Sequence, residues 1–181
     1  MQANVKAGTG AGRSDGRTRE RGLGDLLSPA ELGAWRGFLR VHAELIQDLD
    51  ASLRVGHDIS LSGYEVLMLL SDAPAGRMRI SELSRATILS VSGVSRLVDR
   101  LAAAGLVTKE ACEDDARGAF AALTASGRGR VRAARASHLA EVRRRFLEHL
   151  SDEEMGGLAR GWERMVPGSA LAGLVAPMTL R

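Results

Sequence analysis

A capped helix that runs straight into two extended segments occupies residues 90–123, and few architectures accommodate that order. Ser90 stands at an N-cap position, and Val94, Leu97, Val98 and Leu101 recur at helical spacing. Gly105 closes the segment just after Ala104. Residues 106–111 and 119–123 then read as extended. Between them lies a charged, glycine-bearing tip, Cys112-Glu113-Asp114-Asp115-Ala116-Arg117-Gly118, so the pair is a hairpin. Upstream, Ser81 is placed to cap a short helix over 82–86, joined to the longer one by the turn Thr87-Ile88-Leu89. Residues 77–80 are too few for a helix and read as a small strand. Before them, Ser62-Gly63-Tyr64-Glu65 forms a capping box, with Leu61 and Val66 as its hydrophobic staple. That helix runs to about Leu70 and ends in the loop 72–76, which contains Pro74.

Longer helices flank this segment. Ser28-Pro29-Ala30-Glu31 combines a Ser cap, a proline at the first helical position and a reciprocal Glu. Leu32, Trp35, Phe38, Leu39, His42, Leu45, Ile46, Leu49 and Leu53 come next at helical spacing. So wide a stripe calls for burial on more than one side and points to a subunit interface. An Arg-rich helical segment runs from Thr124 to about Leu150. Ser151-Asp152-Glu153-Glu154 then caps a last helix lined by Met155, Leu158, Trp162 and Met165. Residues 1–26 are rich in Gly, Arg and Ser and lack an apolar face, so a disordered basic tail is expected. Such a tail either reaches phosphates or is a solvated terminus. The tail after Pro167 is Gly/Ala-rich and weakly structured.

Composition narrows the function classes. The chain has 181 residues, enough for one domain with tails, and 45% are hydrophobic. The fold class expected is mainly α with a small β-hairpin. No apolar run of about 18 residues is present and no apolar signal segment succeeds the N-terminus, so a cytoplasmic protein is expected. A single cysteine, Cys112, excludes an internal disulfide and leaves a metal site short of thiolates. The net charge of +3 says little by itself about nucleic acid. Its carriers are nearly all Arg, which suits phosphate and guanine, although a GC-rich genome gives the same bias. HExxH, CxxC, a Walker loop and GxSxG are all missing, and His57-Asp58 stands without further ligands. An enzyme, a metal and a cofactor are therefore not expected.

The order short helix, turn, longer helix, hairpin is the winged helix-turn-helix plan. A helix fits the major groove of B-DNA with its N-terminal residues at the base edges. Ser90, Ser92, Gly93, Ser95 and Arg96 occupy that end here, and Arg96 can grip a guanine with two bonds. A polar solvated helix face would look the same. The stretch from Asp115 to Gly127, with Asp-x-Arg at the tip and Leu123-Thr124-Ala125-Ser126-Gly127 at its end, resembles the wing signature of the MarR (multiple antibiotic resistance regulator) family. Val94-Ser95-Arg96-Leu97-Val98-Asp99-Arg100-Leu101 with Gly105-Leu106-Val107 resembles the family's recognition helix and strand start. The resemblance covers about residues 28–165.

It implies that Arg117 enters the minor groove, that Asp115 positions this or a neighbouring arginine, and that Ser90, Ser92, Ser95 and Arg96 contact the major groove. Asp99 and Arg100 look like a structural pair between helix and wing, with Arg100 also within reach of phosphate. Ala116 and Ala121 depart from the family pattern and imply a looser wing, and Phe120 stands where many relatives have a polar residue. The resemblance further implies a homodimer on double-stranded DNA with a pseudo-palindromic site. Its domain plan is a dimerisation helix over 28–56, a DNA-binding lobe over 61–123 and dimerisation helices over 124–165, between the tails 1–26 and 166–181. Members of the family often bind small aromatic acids between the dimerisation helices and the DNA-binding lobe. Trp35, His42, His57 and Tyr64 are the candidates here, and an interface or loop role is the plainer reading of each. Cys112 lies beside Glu113, Asp114 and Asp115, a poor setting for a reactive thiolate. The rival readings are an architectural DNA binder and a winged helix that contacts protein.

Overall fold

The structure is a computed structural model that describes residues 26–112 and 115–168, with only the backbone described at 112 and 115–118. The chain divides into two compact units, Met1–Arg40 and Val41–Arg181. In the first, helix α1 (Pro29–His57) begins on the expected capping box. The Ser28 amide donates to the Glu31 carboxylate at 2.7 Å, and the Glu31 amide donates to Ser28 Oγ at 3.3 Å. The rings of Trp35 and Phe38 stack one turn apart, 6.3 Å between centroids. The expectations for residues 1–25, including the basic tail, lie outside the described residues, as do those for 169–181.

The second unit holds the rest of α1, then α2 (Leu61–Asp72), β1 (Arg77–Arg79), α3 (Ile80–Ala86), α4 (Val91–Ala103), β2 (Val107–Cys112), β3 (Asp115–Leu123), α5 (Ala125–Arg145) and α6 (Asp152–Met165). The strands form one antiparallel sheet in the order β1-β3-β2. Leu67, Leu70, Leu83, Val94, Val98 and Leu106 sit at the centre of the core, each with almost no exposed surface. The four apolar positions read from the helical spacing of α4 are all buried.

Four boundaries differ from the sequence reading. The cap of α2 is Ser60, whose Oγ accepts the Gly63 amide at 3.0 Å, so Ser62 and Glu65 lie inside the helix. Asp50 of α1 sets that start by taking the Leu61 amide at 2.8 Å, and Leu61 and Val66 are core residues. Arg79, not Ser81, occupies the cap position of α3, because the chain leaves β1 directly into the helix and Glu82 accepts the Arg79 amide at 2.9 Å. The hairpin strands extend to Cys112 and Asp115, with a bulge at Ala111/Cys112, so the strands take five of the seven residues expected at the tip. Finally, α5 stops at Arg145. Phe146 leaves helical geometry, and a short 3-10 turn, Leu147–His149, precedes the Ser151 cap of α6.

The junction between wing and α5 explains the Leu-Thr-x-x-Gly stretch. Thr124 Oγ1 accepts the Gly127 amide at 3.0 Å as the cap of α5. Its proton points to the carbonyls of Gly105 and Leu106, at 2.8 and 3.0 Å. The Thr124 amide donates to the Leu106 carbonyl at 3.1 Å as well. The backbones approach so closely that a Cβ on Gly127 would stand 2.1 Å from the Leu106 oxygen. At the other end of α5, Arg145 pairs with Asp48 of α1 and, at 2.6 Å, with Glu141. Glu141 also takes Arg144 at 2.6 Å.

Gly127→Ala forces backbone apart at the α5 junction and should cost about 1–3 kcal/mol or more in urea denaturation, while Gly129→Ala, with open space around it, should not destabilise. The hydrogen bonds from Arg144 and then Arg145 hold the Glu141 carboxyl down to about 2, from 4.5. A carboxyl lowered on folding stabilises above its unfolded value and loses that contribution as pH falls through its folded value. Glu141→Gln should therefore be less stable than the parent at neutral pH, and the two melting curves should converge between pH 4.5 and about 2.

Candidate nucleic-acid interface

Helix α4 has two chemically different sides. Val94, Leu97, Val98 and Leu101 face the core, and Ser90, Ser92, Arg96, Asp99 and Arg100 face solvent, with Gly93 and Ser95 half-buried. The exposed N-terminus is well ordered by its own side chains. Ser90 Oγ accepts the Gly93 amide at 3.2 Å and lies 3.1 Å from Ser92 Oγ. Gly105, with φ of +71°, turns the chain out of the helix into the wing, a backbone conformation that favours glycine.

The wing is tied to the helix by a residue that sequence reasoning missed. Lys109 on β2 reaches back to Asp99 at 2.7 Å and to Ser95 Oγ at 3.3 Å. Asp99 thus does pair between helix and wing, but with Lys109 and not with Arg100. No local pattern reveals the pair, since the two residues come together only when the hairpin folds over α4. Arg100 instead lines a cavity of about 300 Å³ with Asp50, Arg54, Ser62 and Arg96. Asp50 holds Arg54 at 2.6 Å across one helical turn.

At the root of the wing, Phe120 is packed by arginines. The guanidinium of Arg77 lies 4.2 Å from its ring centroid and that of Arg79 lies 5.1 Å away. Arg77 also pairs with Glu110 at 3.4 Å. Ala121 is fully buried in the central strand opposite Met78 and Lys109. Asp115 and Arg117 lie in β3 near the turn, where only the backbone is described. Cys112 ends β2, likewise in backbone only.

The four candidate ligand residues have separate surroundings. Trp35 stacks on Phe38 in the first unit, and His42 is exposed on α1. Tyr64 is buried, its ring 4.7 Å from that of His138 on α5, and burial pushes its hydroxyl pKa up and that of His138 down. His57 Nε2 lies 2.6 Å from Ser137 Oγ, and the His57 carbonyl accepts from Arg130. His57 lines an open cleft of about 420 Å³ with Asp58 and Arg130. None of the four lines the arginine-bearing cavity beside α4. Among the described residues, no group of His, Cys, Asp and Glu is placed to hold a metal, and no helix is long and apolar enough to cross a membrane.

Comparison with known proteins matches residues 57–118 to the model of the MarR family. The chain is similar to the crystal structure of AbsC, a MarR family transcriptional regulator from Streptomyces coelicolor. The two share 35% identity and a TM-score of 0.72, over 82% of this chain and 98% of that one. It is also similar to Sco3205, a MarR family regulator from the same organism solved in complex with DNA. Here identity is 29% and the TM-score 0.73, over 78% and 92% of the two chains. Among curated proteins, the HTH-type transcriptional repressor YetL of Bacillus subtilis (strain 168) is 29% identical over 99 residues. That stretch is 55% of this chain and spans only 59% of the length of YetL.

The Lys109 tie has a measurable signature. Lys109→Met should cost no more than about 1 kcal/mol of global stability, since the ion pair is half-exposed. Amide exchange in β2 should nevertheless accelerate relative to α2 and α5, and unchanged exchange there would show that the tie does not hold the wing.

Proposed function

The chain belongs to the MarR family of transcriptional regulators, and from that premise we propose that it is a sequence-specific repressor that binds a pseudo-palindromic operator as a homodimer. The observation that carries this reading is the two-sided α4, with apolar residues locked in the core and Ser90, Ser92 and Arg96 presented on a rigid, capped N-terminus. In this reading Arg96 grips a guanine, Ser90, Ser92 and Ser95 bond base edges or phosphates, and Gly93 lets the backbone approach. Arg100 reaches phosphate. Arg117, near the tip of β3, enters the minor groove, with Asp115 holding a neighbouring arginine in place.

Dimerisation is supported by apolar surface that each unit leaves uncovered. Trp35 and Leu39 are 51% and 46% exposed in the first unit, and Val41, Ile46 and Leu139 are 50%, 41% and 55% exposed in the second. That much exposed apolar surface on helices is characteristic of a protein interface. The stripes read from the sequence on α1 and α6, together with the family's dimerisation plan, give α1, α5 and α6 as its elements. A two-fold axis then sets the two recognition helices about one turn of DNA apart.

A small aromatic acid is the proposed effector, and the cavity beside α4 is its best-supported site. Arg54, Arg96 and Arg100 outnumber the single Asp50 there, which suits a carboxylate. An anion bound to Arg96 or Arg100 would compete with DNA for the same guanidinium groups.

Anisotropy titration against DNA upstream of the protein's own gene, with random competitor, tests the reading. Competitor-resistant, salt-sensitive binding is expected, and Arg96→Ala should cost roughly 1–3 kcal/mol. Arg117→Ala should weaken binding and flatten the salt dependence by about one charge. Added benzoate or salicylate should release the DNA. Binding no tighter than to random DNA, at this site and in a selection from random duplexes, would leave the architectural or protein-contact reading instead.

A further inference from the structure

Two apolar side chains stand uncovered where the polar tip of α4 begins. Ile88, in the turn before the helix, is 79% exposed, and Val91, its first residue, is 55% exposed. The turn is not loose. Thr87 Oγ1 donates to the Leu83 carbonyl and Ser84 Oγ to the Leu89 carbonyl, both at 2.9 Å, while Leu89 packs against the core. The chain therefore holds Ile88 and Val91 outward on a pinned scaffold.

The groups beside this pair are hydrogen-bond donors. Ser90 Oγ accepts the Gly93 amide and shares one proton with Ser92 Oγ, so that pair of hydroxyls has one proton left to give, and Ser95 Oγ, which accepts from Lys109, keeps its own. Arg96 has only donors. In the major groove, an apolar group next to an acceptor is the pattern of one base, thymine, with its C5 methyl beside O4. We propose that Ile88 and Val91 read thymine methyl groups in the half-site, next to the bases that Ser90, Ser95 and Arg96 contact. This rests on the reading of α4 as the major-groove helix and adds which base its apolar edge selects.

The test starts from duplexes selected by the full-length protein from a random pool. Each thymine of the enriched half-site is then replaced by uracil, which deletes only the methyl group. At one or two positions the parent protein should bind about fourfold more weakly, the contribution of one buried methyl group. Val91→Ala or Ile88→Ala should erase that difference while leaving the melting temperature unchanged, since both side chains are exposed. Uracil duplexes that bind the parent as tightly as thymine duplexes at every position overturn the proposal. So does a full uracil penalty kept by both variants, and a change in oligomeric state in either variant would then assign the pair to a protein contact. Failure to enrich any sequence is a different result, which removes the sequence-reading function and this inference with it.

Discussion

The hydroxyl of Thr124 joins three parts of the molecule. It caps α5, and it bonds the carbonyls between the end of α4 and the entrance to β2. Because Thr124 also comes directly after the last residue of β3, one side chain fixes the end of α4, both roots of the wing and the start of the long C-terminal helix. Gly127 makes this possible, since the backbones meet at a distance no other residue would allow.

Within that frame, α4 divides its labour by face. Its apolar side is part of the core and its orientation is set by packing, which leaves the polar side free to carry residues chosen for chemistry. The Lys109–Asp99 pair joins α4 to the wing without a buried charge: the ion pair sits at the surface, where its contribution to stability is small. Phe120 does comparable work at the wing root, where it packs the stems and guanidinium groups of Arg77 and Arg79 in place of a polar residue.

A second set of contacts ties the C-terminal half of α1 to α2 and α5. Asp50 takes the first amide of α2 and holds Arg54, while Asp48 meets Arg145. Tyr64 and His57 contribute to the same joint by packing or bonding to His138 and Ser137 of α5. These surroundings give both residues a structural occupation, and they move attention for a charged ligand to the cavity bounded by Arg54, Arg96 and Arg100. The sequence did not point to that cavity, because its lining comes from α1, the start of α2 and α4.

Much of the fold was legible in local chemistry. The capping boxes at Ser28 and Ser151, the cap at Ser90, the stop at Gly105 and the buried stripe of α4 all depend on residues close in sequence, and all are present in the structure. Three of the four boundaries that shifted are those where a distant group outcompeted a nearby one: Asp50 at the start of α2, the β1–β3 pairing at Arg79, and strand pairing that consumed most of the hairpin tip. The same holds for the site. Spacing by itself determined which residues of α4 enter the core and left Ser90, Ser92 and Arg96 on its exposed face. Only tertiary structure decided that Lys109 clamps Asp99 and that three arginines share a cavity, because helical periodicity acts over one turn of chain whereas ion pairs and cavities form between segments that only the completed core brings together.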